Sequence, residues 1–169
     1  DFDDLTVVAG SDRSRQESVA LGLAALGRCE ADTVVLVHDA ARPLTPPQVT
    51  GRVIDAVAGG AGAVIPVLPV TDTLKTVDTF GVVVGTPRRS DMVAVQTPQG
   101  FRWDVLIRAH EEGASLGADE ARAATDDAGL VEAIGGSVQT VAGDEHSMKV
   151  TRPLDLAFAQ ILVAEETSA

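Results

Sequence analysis

The sequence predicts an α/β domain with a mostly parallel sheet, because segments typical of strands alternate with segments typical of helices along the chain. Two strand segments, residues 33–37 and 63–67, are nearly continuous apolar runs, as is typical of parallel strands covered by helices on both faces. The chain contains no internal repeat, low-complexity stretch or linker. We therefore expect residues 1–169 to form a single domain with one core.

Short runs of β-branched residues, bounded by turn residues, define the expected strands. Two of them, residues 73–77 and 81–85, are joined only by Asp78-Thr79-Phe80, which predicts a hairpin outside the layered core. In chain order, the other expected strands are residues 6–9, 33–37, 63–67, 93–96, 139–142 and 148–150.

Apolar residues at helical spacing predict five helices, at about residues 19–26, 46–58, 102–112, 126–133 and 154–165. Thr45, Thr125 and Thr151 are the expected N-caps of the second, fourth and fifth of these helices. The fifth helix is expected to turn four apolar side chains inward, namely Leu154, Phe158, Ile161 and Leu162.

The charge balance excludes two classes of partner. Thirteen basic against 25 acidic residues give a formal charge of −12, and such a surface repels nucleic-acid backbones and anionic lipids. A local cluster of Arg, Lys and backbone N–H groups can still bind a phosphate in such a protein. The single cysteine, Cys29, fits a reducing, cytoplasmic setting. No apolar run approaches the ~20 residues that span a bilayer.

The segment that follows the strand at residues 33–37 is the first candidate for a binding site, because ligands of α/β sheets gather at the carboxyl ends of the strands. It reads Val37-His38-Asp39-Ala40-Ala41-Arg42-Pro43. The Asp39 carboxylate can accept hydrogen bonds from hydroxyl groups, and the Arg42 guanidinium can bind an oxyanion. An ion pair that only fixes the turn explains these two residues equally well.

Three further segments carry groups that suit phosphate. Lys149 lies in a short expected strand that ends on the same face as Asp39, although a lone lysine is usually only solvated. Thr97, in the segment 96–101, is a candidate phosphate ligand, and the alternative is a loop that leads into the next helix. Thr125 precedes Asp126 and Asp127, where free N–H groups could bind an anion; an ordinary helix cap is the better interpretation from the residues alone.

Other kinds of site find less support. His38, His110 and His146 are too dispersed to suggest a zinc site, and no residues are proposed as metal ligands. The segment 10–15 lacks the glycine spacing of a P-loop, and no Gly-x-Gly-x-x-Gly motif follows a strand, which disfavours a dinucleotide-dependent dehydrogenase.

Five motifs, in this order, resemble the 2-C-methyl-D-erythritol 4-phosphate cytidylyltransferase family over nearly the whole chain. They are Val-His-Asp-Ala-Ala-Arg-Pro at 37–43, Asp-Thr-Leu-Lys at 72–75, Thr-Pro-Gln at 97–99, Thr-Asp at 125–126 and Lys-Val-Thr-Arg-Pro at 149–153. The resemblance implies a Rossmann-like nucleotidyltransferase fold and a homodimer that uses CTP and Mg²⁺, the metal being bound mainly through the CTP phosphates. In that family the substrate phosphate attacks the α-phosphorus of CTP and pyrophosphate leaves.

The resemblance also implies roles for the matching residues around the polyol phosphate. Asp39 would hold polyol hydroxyls near the nucleotide, and Arg42 would support that site. Lys149 would stabilise negative charge on the reacting phosphates. Thr97 and Thr125 would help to bind the substrate phosphate.

On the nucleotide side, Ser18 is similar to the family's serine beside the cytosine, Gly10 lies in the neighbouring loop, and the Ala40 backbone would lie near the nucleotide. The hairpin within residues 71–89 is similar to the family's dimerisation arm. Thr73 and Arg89 match positions that reach into the partner's active site, with Arg89 among the catalytic residues. The site would then be complete only in the dimer.

The sequence departs from the family pattern in two ways. The family's first strand and its Gly-rich loop with Arg and Lys, which grips the CTP triphosphate, have no counterpart here, so we expect weak or no catalysis from this chain. The segment Gly10-Ser11-Asp12 also lies one residue upstream of the family position when Ser18 is held fixed, so which of the three contacts cytosine stays open.

Two alternatives remain at this point. A ribitol 5-phosphate cytidylyltransferase would use the same chemistry on another polyol, although the motifs at residues 38–43 and 96–101 favour the methylerythritol enzyme. An inactive dimerising fragment of either enzyme would fit the lack of the Gly-rich loop.

Overall fold

The computed structural model describes residues 5–113 and 125–168. The helices are α1 (Arg15–Leu26), α2 (Pro47–Ala58), α3 (Trp103–Gly113), α4 (Asp127–Ala133) and α5 (Pro153–Ser168). The strands are β1 (Val34–Val37), β2 (Ala63–Pro69), β3 (Thr76–Val77), β4 (Val83–Gly85), β5 (Val93–Val95), β6 (Gln99–Arg102) and β7 (Val138–Ala142), and short 3-10 turns lie at Arg89–Asp91 and Glu145–Ser147.

The central sheet has five strands, with β2 in the middle. On one side, β2 pairs with β6 near its start and with β5 near its end, and β6 also pairs with β1. On the other side, β2 pairs with β7 in parallel, with Ala63 opposite Val138. β1, β2 and β7 therefore run in one direction, while β5 and β6 run against them. The α/β class is confirmed, and most of the strands share one direction as expected.

Strand β6 was not predicted, and it explains why β2–β7 is the one parallel pairing in the described sheet. Its residues, Gln99 to Arg102, include a glycine and follow a proline, and both features disfavour a strand. The glycine is nevertheless required by packing. A Cβ on Gly100 would lie 2.4 Å from Val53 Cγ1 and 3.2 Å from Val57 Cγ2, both on α2. Gly100 thus lets α2 pack directly on the sheet.

The core lies on both faces of this sheet. On one face, α3 and α4 cover β1, β2 and β6 through a cluster that includes Val35, Ala63, Phe101, Leu106 and Leu130. On the other face, α2 contributes Val53 and Val57, which pack with Ala61 and Val64. With so few aromatic residues in the chain, Phe101 is the one aromatic side chain among the largest fully buried side chains of the described residues.

Several expected boundaries were wrong. Residues 6–9 form no strand and are exposed. Residues 148–150 form no strand either, although the Val150 N–H donates to the Ala41 carbonyl at 2.7 Å. Helix α2 is capped by Pro46 and not by Thr45, whose hydroxyl donates to the Arg42 carbonyl at 3.1 Å.

The start and the orientation of α5 also differ from expectation. The Asp155 carboxylate accepts from the backbone N–H groups of Thr151 and Arg152, so it satisfies the helix start in place of the Thr151 side chain. Hydrogen bonds from the Arg152 side chain and from these N–H groups hold the pKa of Asp155 well below its usual range. Of the four side chains expected inside, three are at least half exposed: Leu154, Phe158 and Ile161.

The hairpin is confirmed as β3 and β4, a two-stranded sheet separate from the central one. Asp78 Oδ1 accepts from the N–H groups of Phe80 and Val82, both at 2.9 Å, which closes the turn. At its tip, Phe80 is 90% exposed. Within the described residues, no helix has the length and apolar character needed to cross a membrane.

Candidate functional site

A cavity of about 230 Å³ opens at the ends of β1 and β5. Five predicted site residues line it together, from four separate segments of the chain: Asp39, Arg42, Thr97, Thr125 and Lys149. Five residues that were not predicted as site residues complete its wall: Arg15, Val95, Gln96, Gln99 and Asp126.

Asp39 lies two residues beyond the end of β1 and is mostly buried. Its backbone N–H donates to Thr97 Oγ1 at 3.0 Å, and the same hydroxyl lies 3.0 Å from His38 Nδ1. Its carboxylate faces two cations, Lys149 Nζ at 3.1 Å and Arg42 Nε at 3.6 Å. The predicted pairing of Asp39 with Arg42 is therefore present, and it includes Lys149 as well.

Arg42 connects the loop after β1 to the loop that carries Lys149. Its side chain is 13% exposed. Its guanidinium donates to the Ser147 carbonyl at 2.5 Å and to the Val95 carbonyl at 3.4 Å. Because each terminal nitrogen of this mostly buried guanidinium donates one N–H to a backbone carbonyl, Arg42 acts mainly as a brace for the cavity wall.

The loop that presents Lys149 is also held by Gln96, a buried residue at the end of β5. The Gln96 side chain donates to the Asp144 carbonyl at 2.8 Å and accepts from the Asp144 N–H at 3.0 Å. The backbone N–H of His146 donates to the Asp144 carboxylate, and this bond lowers the pKa of Asp144. Lys149 itself is 49% exposed, so its ammonium group is accessible from solvent while it contacts Asp39.

The opposite part of the wall is built from α4 and the segment before it. Asp126, and not Thr125, is the N-cap of α4, and it accepts from the Gly129 N–H at 2.9 Å. The buried Gln99 side chain donates to Asp126 at 2.7 Å and accepts from the Ala128 N–H. Thr125 is exposed and borders the cavity, so its hydroxyl is available to a ligand.

Behind this wall lies a buried charge cluster. The Asp127 carboxylate has no exposed surface, and it contacts Arg15 Nη1 at 2.8 Å and His110 Nε2 at 3.0 Å. Burial favours the neutral form of this carboxyl, but the hydrogen bond from His110 and the Arg15 guanidinium outweigh it and hold the pKa of Asp127 below its usual range. The cluster ties α1 to α3 and α4.

The remaining predicted residues do not line this cavity. Gly10 packs against Ser18, whose hydroxyl accepts from the Ser11 N–H at 3.0 Å, so Ser18 holds the loop before α1. Ala40 is exposed beside Asp39. Thr73 is exposed in the segment before β3. Arg89 donates to the Thr71 carbonyl at 2.8 Å and lines another, more open cavity beside β2, β5 and β7.

Sequence reasoning missed the buried polar side chains that hold the site in place, because a glutamine or an arginine carries no sign of its partner. The sequence did contain one indication of where Arg15 lies, since Ser14 followed three residues later by Glu17 is typical of a helix start. Ser14 caps α1 by accepting from the Glu17 N–H at 3.1 Å, so the next residue, Arg15, occupies the first turn of a helix beside the candidate site.

A metal ion could be held here only with help from a ligand. Within residues 5–113 and 125–168, no group of three His, Cys, Asp or Glu side chains is arranged to bind one. Asp39 is the carboxylate nearest to Lys149 and is already engaged by two cations. This donor set fits Mg²⁺ that arrives with most of its oxygen ligands supplied by a triphosphate and water.

The buried cluster predicts a pH-dependent stability. We expect Asp127→Asn to lower the free energy of unfolding at pH 7 by about 1.5–3 kcal/mol, the usual contribution of a hydrogen bond to a charged group. Since the pKa of Asp127 is lower in the folded than in the unfolded chain, its contribution is present above the ordinary carboxyl value of 3.8 and is lost as the pH falls toward the folded value. The difference between the two proteins should therefore narrow below about pH 4.

Urea unfolding of both proteins from pH 7 to pH 3 measures this difference. Asp104→Asn is the matched control, because the Asp104 side chain is 43% exposed and bonded to an exposed arginine. It should change the stability by less than about 1 kcal/mol at any pH. A difference for Asp127→Asn that stays constant down to pH 3 would show that the carboxylate charge is not stabilising.

The sequence and the fold have clear counterparts among known proteins. The family model for 2-C-methyl-D-erythritol 4-phosphate cytidylyltransferase matches residues 2–165. Proteins of that name from Rhodococcus jostii and from Frankia casuarinae are 51% and 52% identical over 162 and 161 residues. These matches cover 96% and 95% of this chain, but 67% and 57% of the two relatives. The chain thus spans about two thirds of the length of the Rhodococcus relative.

Solved structures agree with this result. The enzyme of the same name from Thermus thermophilus superposes with a TM-score of 0.76 at 38% identity, over 92% of this chain and 71% of that one. The one from Francisella tularensis gives a TM-score of 0.83 at 28% identity, over 94% of this chain and 72% of that one. From the matched family model and these relatives, the chain belongs to the 2-C-methyl-D-erythritol 4-phosphate cytidylyltransferase family.

Proposed function

We propose that the protein joins CTP to 2-C-methyl-D-erythritol 4-phosphate. An oxygen of the polyol phosphate attacks the α-phosphorus of CTP, a new P–O bond forms, and the bond to the β-phosphate oxygen breaks, which releases pyrophosphate. The observation that carries this proposal is the cavity in which Asp39, Arg42, Thr97, Thr125 and Lys149 meet. The names of the relatives from Rhodococcus and Frankia favour the methylerythritol substrate over ribitol 5-phosphate.

The contacts of Asp39 suit the binding of polyol hydroxyl groups. Its carboxylate oxygens are acceptors, and its backbone is fixed by the hydrogen bond to Thr97. Arg42 and Lys149 both contact Oδ2 of this carboxylate, so Oδ1 would accept hydrogen bonds from hydroxyl groups of the substrate. Asp39 would orient the substrate so that its phosphate approaches the α-phosphorus in line.

Lys149 is the proposed catalytic cation. Its ammonium group has three donors, and the contact with Asp39 uses one of them. The other donors could bind the phosphate oxygens on which negative charge builds up in the transition state. The segment before Lys149 is held at two points, by Gln96 at Asp144 and by Arg42 at Ser147, so this cation is positioned before the substrate arrives.

The threonines and the nucleotide-binding residues have supporting roles in the proposal. Thr97 and Thr125 would donate to the substrate phosphate. Gly10, Ser18 and the Ala40 backbone would contact the cytidine part of CTP, as the resemblance implies. Mg²⁺ would bind mainly through the triphosphate of CTP and neutralise part of its charge. A cytoplasmic location is also proposed, in keeping with the unbridged Cys29.

We further propose a homodimer in which the hairpin and its flanks, residues 71–89, act as an arm. The apolar exposure of this segment supports the proposal, since Val77, Phe80 and Val82 are all more than half exposed. Thr73 and Arg89 do not reach the cavity of their own chain, so they would act in the cavity of the partner. Arg89 would there provide a second cation for the reacting phosphates.

A transfer assay tests the proposed reaction. With CTP, Mg²⁺ and 2-C-methyl-D-erythritol 4-phosphate, we expect at least one of two samples, the chain alone or the longer protein described next, to release pyrophosphate. With ribitol 5-phosphate, the active sample should show a kcat/KM at least about tenfold lower, because the site's polar groups would be mismatched. The chain matches 67% of the length of the Rhodococcus relative. The second sample is therefore a longer protein, in which the part of the Rhodococcus sequence that this chain does not match is fused to the chain. Lys149→Met should reduce kcat about 100-fold or more in whichever sample is active.

Arg108→Met is the matched control, because Arg108 is an exposed cation on α3, paired loosely with Glu112. It should leave kcat unchanged. The proposal fails if neither sample releases pyrophosphate, or if ribitol 5-phosphate is the better substrate.

The shared site predicts complementation between two inactive variants. Arg89→Met and Lys149→Met should each be weakly active alone, because each removes a cation from every site. After mixing and exchange of subunits, half of the dimers combine the two variants, and each such dimer has one intact site and one doubly defective site. The mixture should therefore recover about a quarter of the wild-type activity. A mixture that is no more active than its components would mean that Arg89 does not act across the dimer.

A further inference from the structure

Three helices bring the Arg15–Asp127–His110 cluster together beside the cavity. Arg15 opens α1, Asp127 opens α4 and His110 lies near the end of α3. The Asp127 carboxylate has no exposed surface and His110 is 6% exposed, whereas the Arg15 side chain is 37% exposed. The cluster therefore runs from the protein interior to a guanidinium that lines the cavity.

The donors of Arg15 distinguish it from the other cations of the cavity. Arg42 uses its terminal nitrogens on the carbonyls of Ser147 and Val95, and Lys149 contacts Asp39. Arg15 contacts Asp127 through Nη1, and a guanidinium has five N–H donors in all. Among the described cavity residues, Arg15 is thus the guanidinium with the most donors left for a ligand.

A purely structural role would not require this arrangement. A buried carboxylate is costly to desolvate, and apolar side chains of similar size could join the three helices without that cost. The cluster instead fixes a planar cation at the edge of a cavity. Such a cation loses little further freedom when it binds an oxyanion, which favours tight and directional binding.

We infer that Arg15 is a ligand of the substrate phosphate in this cavity, and that Asp127 and His110 are positioning residues that hold its guanidinium in place. The inference rests on the proposed function and deepens it, since it names a phosphate-binding group that none of the predicted residues supplies. The pKa of Asp127, which is held below its usual range, agrees with a carboxylate that stays ionised beside Arg15.

Binding measurements separate this inference from catalysis. Calorimetric titrations would use three ligands: 2-C-methyl-D-erythritol 4-phosphate, its dephosphorylated tetrol, and CTP with Mg²⁺. For Arg15→Met we expect about a tenfold or greater loss of affinity for the polyol phosphate and no change for the tetrol, because the lost contact is to the phosphate. Arg15→Lys should have an intermediate affinity for the polyol phosphate, since a lysine keeps the positive charge but lacks the planar, bidentate donors of a guanidinium.

Two controls address a merely structural effect. Arg13→Met removes another arginine near the start of α1, one that is 79% exposed and paired with Glu17, and it should bind all three ligands like the wild type. In Arg15→Met the buried Asp127 carboxylate loses its guanidinium partner and faces an apolar side chain. The double variant Arg15→Met/Asp127→Asn removes that unpaired charge. It should therefore be more stable to urea than Arg15→Met while its affinity for the polyol phosphate stays low.

The positioning role has its own readout. Asp127→Asn keeps the Arg15 charge but removes its ion-pair partner. It should therefore lower the affinity for the polyol phosphate by a smaller factor than Arg15→Met does, and it should leave the affinity for the tetrol unchanged. The inference is overturned if Arg15→Met binds the polyol phosphate like the wild type, or if the double variant regains affinity together with stability. If Arg15→Met loses affinity for CTP alone, Arg15 binds the nucleotide phosphates, and its assignment to the phosphate of the polyol substrate is overturned. If neither the chain nor the longer protein used in the transfer assay binds any of the three ligands, the proposed function fails along with the inference.

Discussion

The candidate site depends on one carboxylate, that of Asp39, which lies between two cations from different parts of the chain. Lys149 is 110 positions further along the sequence, yet its ammonium group is 3.1 Å from this carboxylate. Arg42 reaches the same carboxylate and also holds the loop before Lys149 through the Ser147 carbonyl. The loop after β1 and the loop before α5 are therefore joined by charge, and the cavity forms at the junction.

This junction shows how a strongly acidic protein can offer a site for phosphates. The net charge of −12 is spread over the chain, but the cavity collects Arg15, Arg42 and Lys149 within one wall. The carboxylates beside them, Asp39 and Asp126, are already engaged by hydrogen bonds or ion pairs. Local geometry, and not the overall charge, then decides which ligands are attracted at short range.

Sequence patterns predicted all five α-helices of the described residues and the turn that carries Asp39, because apolar spacing and the residues after a buried strand are local signals. They did not predict β6, whose Gly100 is present for close packing against α2 and not for strand propensity. They also placed the apolar side chains of α5 inside, whereas the residues that α5 buries are Asp155 and Ala159. Helical spacing alone does not identify which face of a helix meets the core.

The second class of missed features is polar and buried. Gln96, Gln99 and the Arg15–Asp127–His110 cluster fix the walls of the cavity through partners up to 112 positions away in the chain. Such pairs leave no periodic pattern in a sequence. The sequence motifs identified five of the residues that line the cavity, and the structure shows the buried side chains that hold them in place.

The most direct test of the account is a crystal structure of the protein with 2-C-methyl-D-erythritol 4-phosphate bound. The polyol hydroxyl groups should lie within hydrogen-bonding distance of the Asp39 carboxylate, and the phosphate group should lie between Lys149 and Arg15. A ligand bound elsewhere, with the contact between Asp39 and Lys149 unchanged and their cavity filled only by water, would contradict it.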